Sequence, residues 1–208
     1  MGKVIDAEGK KRTALWAFSA AVGVCLLLRA SDLPLESVAV SAPQFTSQPA
    51  VTAPAILPKD SVSQIAAVAR DIGRRFHLGH GAAVSITKAA FDAAEDRGID
   101  PTLVLAVAAV ESKFKPGAVN PATGATGLMQ VVPKWHQDKV LDAGGETSLL
   151  LIAPNIDVGA AILAEYVDAD AGNIGNALGR YLGKAGANRY VKQVQHEMEH
   201  LAKVLRNL

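Results

Sequence analysis

The segment IDPTLVLAVAAVESKF, Ile99 to Phe114, combines a helix start, an apolar body and an acidic end. Asp100 supplies a side-chain acceptor at the N-cap position. Pro101 follows at the first helical position, where its missing N–H removes no helical bond and its fixed φ suits the helix. The residues after it are apolar almost all round, so this helix belongs at the centre of a domain rather than on its surface. Its last turn holds Glu111. The partial negative charge of a helix C-terminus and burial both disfavour ionisation there, so the carboxyl is expected to keep its proton to higher pH than an exposed glutamate does. A carboxylic acid still protonated near neutral pH can donate its proton to a glycosidic oxygen. An exposed glutamate at a fraying helix end reads the same way on this segment alone, and the segment leaves both readings open.

The neighbouring segments are also helical. In SVSQIAAVARDIGRRF (Ser61 to Phe76), Ile65, Val68, Ile72 and Phe76 recur at helical spacing, and the Gly-His-Gly of residues 79–81 ends the pattern. A second helix is expected from about Ala83 to Arg97, with Ile86, Ala90 and Phe91 inward and Gly98 closing it. His77 and His80 flank glycines at a helix end, where capping is the expected role. Near the C-terminus, RYVKQVQHEMEHLAKVL carries Val191, Val194, Met198, Leu201 and Leu205 as one stripe. No strand pattern of comparable strength is present, and the Gly-rich part leaves room for a short hairpin. The fold class expected is mainly α.

HEMEH, His196 to His200, matches the zinc-protease pattern H-E-x-x-H. At about 100° per residue, however, both histidines fall opposite the apolar stripe and face solvent. Only LAKVLRNL follows, without His, Asp or Glu to serve as a third ligand. This is read as an amphipathic helix that packs on the domain, with no metal site.

The chain has 208 residues, a formal charge of +1 and a single cysteine. Without a long Lys/Arg block, it lacks the electrostatic footprint of nucleic-acid binding. The N-terminus differs from the rest. A basic segment (1–13) with Lys3, Lys10, Lys11 and Arg12 precedes the uncharged apolar run ALWAFSAAVGVCLLL, Ala14 to Leu28. The run is long for a signal-peptide core and shorter than the about 17 to 25 residues of a membrane span, so signal peptide and inner-membrane anchor are both open. Either one sends the remainder out of the cytoplasm, to the periplasm or cell envelope, with the basic side inside. Cys25 sits within the run, preceded by VGV, and reads as a buried apolar cysteine rather than a lipidation site. Residues 29–60 are rich in Pro, Ser, Ala and Thr with no sustained period, as a disordered linker is. Residues 61–208 form the expected helical domain, which has no cysteine and must be held by its core alone.

The loop after Glu111 narrows the function. ESKFKPGAVNPATGATGLMQVVP (Glu111 to Pro133) resembles the signature of soluble lytic transglycosylases, a family with a lysozyme-like fold: E-S, a short loop, then G-A-x-G-L-M-Q and a proline. The resemblance covers about Asp100 to Val191. It includes PNIDVGAAIL, similar to the family's N-I-x-x-G segment, and ALGRYLG, similar to its A-L-x-x-Y-N-A-G. It implies an enzyme without a cofactor that acts on peptidoglycan glycan strands. The bond cut joins N-acetylmuramic acid to N-acetylglucosamine, and the muramic acid O6 closes onto C1 to give a 1,6-anhydro product. Glu111 is the implied acid and base. Ser112, Met129, Gln130 and Tyr181 are the implied substrate-cleft residues, with the Tyr181 hydroxyl near the acid.

Each of these residues also has an ordinary reading: a helix-end serine, a core methionine, a capping amide and a core tyrosine. Gly124 and Gly127 suit a tight turn close to a sugar. Phe114, Trp135 and Tyr190 offer faces for sugars, with most of their area expected in the core, and His136 is expected at the surface. From Ser112 through Gln137 there is no Asp or Glu, which agrees with a mechanism that needs a single acid. One departure stands out: Leu182 occupies the family's asparagine position and Gly183 arrives one residue early. Two further readings accompany the first, and this departure bears on the second of them. One is a hydrolytic muramidase. The other is a non-catalytic wall-binding module, a scaffold serving a secretion or conjugation apparatus.

Overall fold

The computed structural model describes residues 59–183 and 188–208. The basic segment, the apolar run of 14–28 and nearly all of the expected linker lie outside the described residues, so the signal, the anchor and Cys25 do as well. Among the described residues no helix is long and apolar enough to cross a membrane.

The described chain folds into seven α-helices: α1 (Lys59–Phe76), α2 (His80–Arg97), α3 (Pro101–Ser112), α4 (Gln137–Asp142), α5 (Ile152–Ala169), α6 (Ile174–Leu182) and α7 (Asn188–Arg206). Short 3-10 turns over Pro133–Trp135 and Glu146–Leu150 flank α4. Its mainly α class agrees with the periodicity, and among the described residues there is no strand. The room left for a hairpin is filled by isolated antiparallel bridges, Val119 to Thr126 and Thr126 to Val131.

Helix α3 forms as its start signal dictates. The Asp100 carboxylate accepts the Thr102 N–H at 2.7 Å and the Thr102 hydroxyl at 2.8 Å. Every residue from Leu103 to Ala109 is buried, as its all-round apolarity requires. Around this axis α7 packs on α3, α2 on both α1 and α5, and α6 on α5. Ile72, Ile86, Leu105, Leu163 and Leu201 are fully buried where these helices meet.

Two boundaries shift. Helix α1 begins at Lys59, two residues before the expected domain start, and ends at Phe76 with His77 in the left-handed region (φ 55°). Helix α2 starts earlier than expected, at His80, because Gly79 is already its extended N-cap rather than part of a separate loop. Gly98 closes α2 at φ 64°, where its N–H reaches back to the carbonyls of Ala94 and Glu95.

The histidines of HEMEH part company. His196 is exposed, but His200 is not turned to solvent as expected: its Nε2 lies 2.9 Å from the buried Asp71 of α1. One turn away the Arg75 guanidinium donates to both oxygens of Glu197 at 2.9 and 2.7 Å. The polar face of α7 thus clamps α1, which a stripe of apolar residues does not reveal. Among the described residues no group of three His, Cys, Asp or Glu comes together as a metal site.

Candidate active site

Helix α3 stops one residue after Glu111. Lys113 turns into the left-handed region (φ 53°) and directs its N–H back to the carbonyls of Ala108 and Ala109. Phe114 follows at φ 58°, and its ring sinks into the core edge-on to Phe76 at 4.9 Å. This ending leaves Glu111 half-buried at the tip of the central helix. Burial pushes its pKa above the ordinary value, and the Tyr190 phenol, donating to Oε1 at 2.7 Å, offsets part of the rise. The other carboxylate oxygen has no hydrogen-bond partner among the described residues.

Tyr190 is the site residue that its sequence environment concealed. Its stripe neighbours mark it as core, and it is indeed buried, but its hydroxyl ends on the acid. Burial and the nearby Glu111 charge push the phenol pKa well up, so it stays a donor. Tyr181 lies close by on α6, also raised by burial and then by Glu111. Its hydroxyl donates to the Met129 carbonyl at 2.9 Å instead of to the acid.

The loop from Ala118 to Val131 is built on α5. Asn155 is completely buried, and its Oδ1 accepts the Met129 N–H at 2.8 Å. Its Nδ2 donates to the carbonyls of Thr126 and Leu149 at 2.9 and 2.8 Å. Gly127, at φ 81°, passes so close to this amide and to the Leu149 carbonyl that a Cβ would overlap both. One turn further along α5, Gly159 leaves the space that the Met129 side chain fills, since a Cβ there would sit 2.5 Å from Sδ. The N-I-x-x-G segment therefore has a physical reading. Its asparagine holds the backbone of the loop and its glycine admits the methionine.

Of the residues expected in a cleft, Met129 is wholly buried and Ser112 nearly so. The Ser112 hydroxyl donates to the Leu128 carbonyl at 2.7 Å and accepts the Lys115 N–H, which ties the end of α3 to the loop. Neither side chain offers surface to a ligand in this conformation. Gln130 is half-buried at φ 50°, with its amide nitrogen on the carbonyls of Gly127 and Ala118 and its amide oxygen without a partner among the described residues. Trp135 departs from expectation in the other direction: 62% of it is exposed, because it stands on a 3-10 turn outside the core. Leu182 ends α6 with its side chain packed against the core, and Gly183 closes the helix at φ 69°. An apolar residue at that position thus has a place to go.

These features define a class first: a helical domain with one half-buried carboxylic acid, a phenol bonded to it, and a glycine-rich loop tied down beside it. Residues 88–205, more than half of the chain, match the Transglycosylase SLT domain family, and the chain belongs to that family. Membrane-bound lytic murein transglycosylase C from Yersinia enterocolitica is 36% identical over 107 residues, which cover 45% of this chain and 30% of that relative. The chain therefore spans less than a third of the curated relative it matches. Among solved structures, an inactive mutant of the lytic transglycosylase Slt from Pseudomonas aeruginosa is 25% identical, with 58% of this chain and 22% of that one covered and a TM-score of 0.43. Such a score adds nothing to the family match.

Proposed function

We propose that the chain is a peptidoglycan lytic transglycosylase in which Glu111 is the sole acid and base. The observation that carries this reading is the state of Glu111 in a chain of this family: half-buried, raised in pKa by desolvation and held by Tyr190. The names of its relatives point the same way.

In this mechanism the protonated Glu111 gives its proton to the glycosidic oxygen as the bond to muramic acid C1 breaks. The muramic acid O6 then attacks C1, and its proton passes to the Glu111 carboxylate. The acid is regenerated and no water is consumed. Because the nucleophile belongs to the same sugar, its effective concentration is high and no second carboxylate has to activate it. The neighbourhood of Glu111 supports this economy: burial and the Tyr190 phenol set its proton affinity, and no other carboxylate among the described residues enters. Tyr190 serves as a positioning residue that fixes one carboxylate oxygen and leaves the other for substrate.

Gln130 offers its free amide oxygen to substrate donors, while Ser112, Met129 and Tyr181 shape the cleft by holding the loop. Signal or anchor at residues 14–28 fits a protein delivered to the periplasmic face of the inner membrane.

The test is a digest of purified peptidoglycan by the full-length protein beside Glu111→Gln, with the released muropeptides weighed by mass spectrometry. Products one water lighter than hydrolytic ones, made by the parent and absent from the variant, are expected. Hydrated reducing ends would replace this reading with the muramidase. Binding to the wall without any product would replace it with the scaffold.

A further inference from the structure

The ends of α1 and α3 and the beginning of α7 border a groove of about 550 Å³. Its apolar lining is Phe76, Ala109 and Val110, and its cations are Lys113, Arg189 and Lys192. All three cations are exposed, and no ion pair among the described residues includes any of them. The one carboxylate in the lining, Glu197, is taken by Arg75 through both oxygens at 2.9 and 2.7 Å. The groove is therefore left with positive charge and no anion to answer it.

Local helix chemistry accounts for only one of these cations. Lys113 caps the C-terminal end of α3, where the partial negative charge of the helix favours it. Arg189 stands in the first turn of α7, which holds no acidic residue, and Lys192 follows three residues later on the same side of the helix. The partial positive charge of a helix N-terminus disfavours cations there.

Cations beside apolar surface match a layer that presents phosphates above acyl chains. The delivery proposed above, to the periplasmic face of the inner membrane, supplies such a layer. Only residues 29–58 separate the apolar run of 14–28 from α1, and even fully extended they span no more than about 100 Å.

We propose that this groove is a membrane-facing surface on which Lys113, Arg189 and Lys192 bind the phosphates of anionic phospholipids. Docking there leaves the acid free, since neither Glu111 nor Tyr190 lines the groove. At about 100° per residue, Glu111 lies about 150° around α3 from the direction midway between Ala109 and Val110. The membrane on one side thus turns the acid toward the wall on the other. This inference rests on the proposed delivery and is independent of the chemistry at Glu111.

The test mixes the full-length protein with vesicles of phosphatidylcholine alone, or of phosphatidylcholine and phosphatidylglycerol in equal parts. A brief treatment with an amine-acetylating reagent follows, and mass spectrometry reads the modification of each lysine. Both vesicles offer the apolar run the same hydrocarbon, so a difference between them reports charge. Phosphatidylglycerol is expected to slow acetylation of Lys113 and Lys192 by at least about threefold. Lys134 and Lys203, which are exposed elsewhere, are expected to react as before. Arg189→Glu is expected to abolish the protection, and an acid at a helix N-terminus does not threaten the fold.

Equal acetylation of Lys113 and Lys192 on the two vesicles would overturn the proposal. So would protection that survives Arg189→Glu, or slowing shared equally by Lys134 and Lys203, which marks an undirected approach to a charged surface. The same protection by soluble glycerol phosphate without vesicles would overturn it in favour of a site for a free anion. Because the vesicles are supplied, a failure of the delivery reading leaves this result unchanged and shows instead in fractionation of the cells that make the protein.

Discussion

At Glu111 two forces act against each other, and their balance makes testable predictions. Burial raises the pKa of the carboxyl and the Tyr190 hydrogen bond lowers it, with burial the larger. In the unfolded chain the group titrates near the ordinary 4.5. Between that value and the raised one, the folded state keeps a proton that the unfolded state has released, so stability falls as pH rises through this window. Glu111→Gln has no such titration. Its melting midpoint is therefore expected to exceed that of the parent at pH 7, with the gap closing as pH is lowered past 4.5, whereas its rate of glycan cleavage falls by about 10²- to 10⁴-fold. Equal midpoints at pH 7 would mean that the carboxyl is not appreciably desolvated. The place of Glu111 at the end of the central helix was legible in the sequence, although its own segment left open whether the carboxyl is buried or exposed. Its partner was not, since Tyr190 lies 79 residues away and nothing in its own segment distinguishes a core tyrosine from one whose hydroxyl meets an acid.

Among the elements, α5 does for the loop what the loop cannot do for itself. Asn155→Ala would strand the Met129 N–H and the Thr126 and Leu149 carbonyls without partners. A stability loss of roughly 2–4 kcal/mol is expected from denaturant unfolding. Gly159→Ala would press a methyl group into Met129 and is expected to cost about 1–3 kcal/mol in the same assay. A neutral result for both would show that the loop is held by its own turns. The periods of α1, α3 and α7 and the N-cap of α3 were readable because they are written within each segment, whereas the start of α2 was not, because Gly79 reads as part of a loop. The inter-helix polar contacts were not. His200 on the polar face of α7 reads as solvent-facing until α1 is known to bring Asp71 against it, and Trp135 reads as core until it is known to stand on a 3-10 turn.

Across the described helices, a buried core is joined by polar contacts between α1 and α7, Arg75 to Glu197 and Asp71 to His200. Ile72 of α1 is fully buried, and Ile72→Ala is expected to cost about 2–5 kcal/mol. Glu197→Gln breaks a partly exposed pair with Arg75 and is expected to cost no more than about 1 kcal/mol. Thermal or denaturant unfolding separates these two, and a larger loss from Glu197→Gln would place the stability of the α1–α7 contact in its charges. The family signature is likewise a property of the whole. Its E-S, G-L-M-Q and N-I-x-x-G parts lie on α3, the loop and α5, and they make one physical unit only when packed.

The measurement that tests the central claim most directly is the pH dependence of peptidoglycan cleavage by the parent and by Tyr190→Phe. A single acid of raised pKa predicts an alkaline limb above the ordinary glutamate value. It also predicts that removing the phenol, whose bond lowers that pKa, moves the limb to still higher pH while the maximal rate falls. A limb that stays in place in Tyr190→Phe, or moves to lower pH, would contradict the assignment of Glu111 as the titrating acid held by Tyr190.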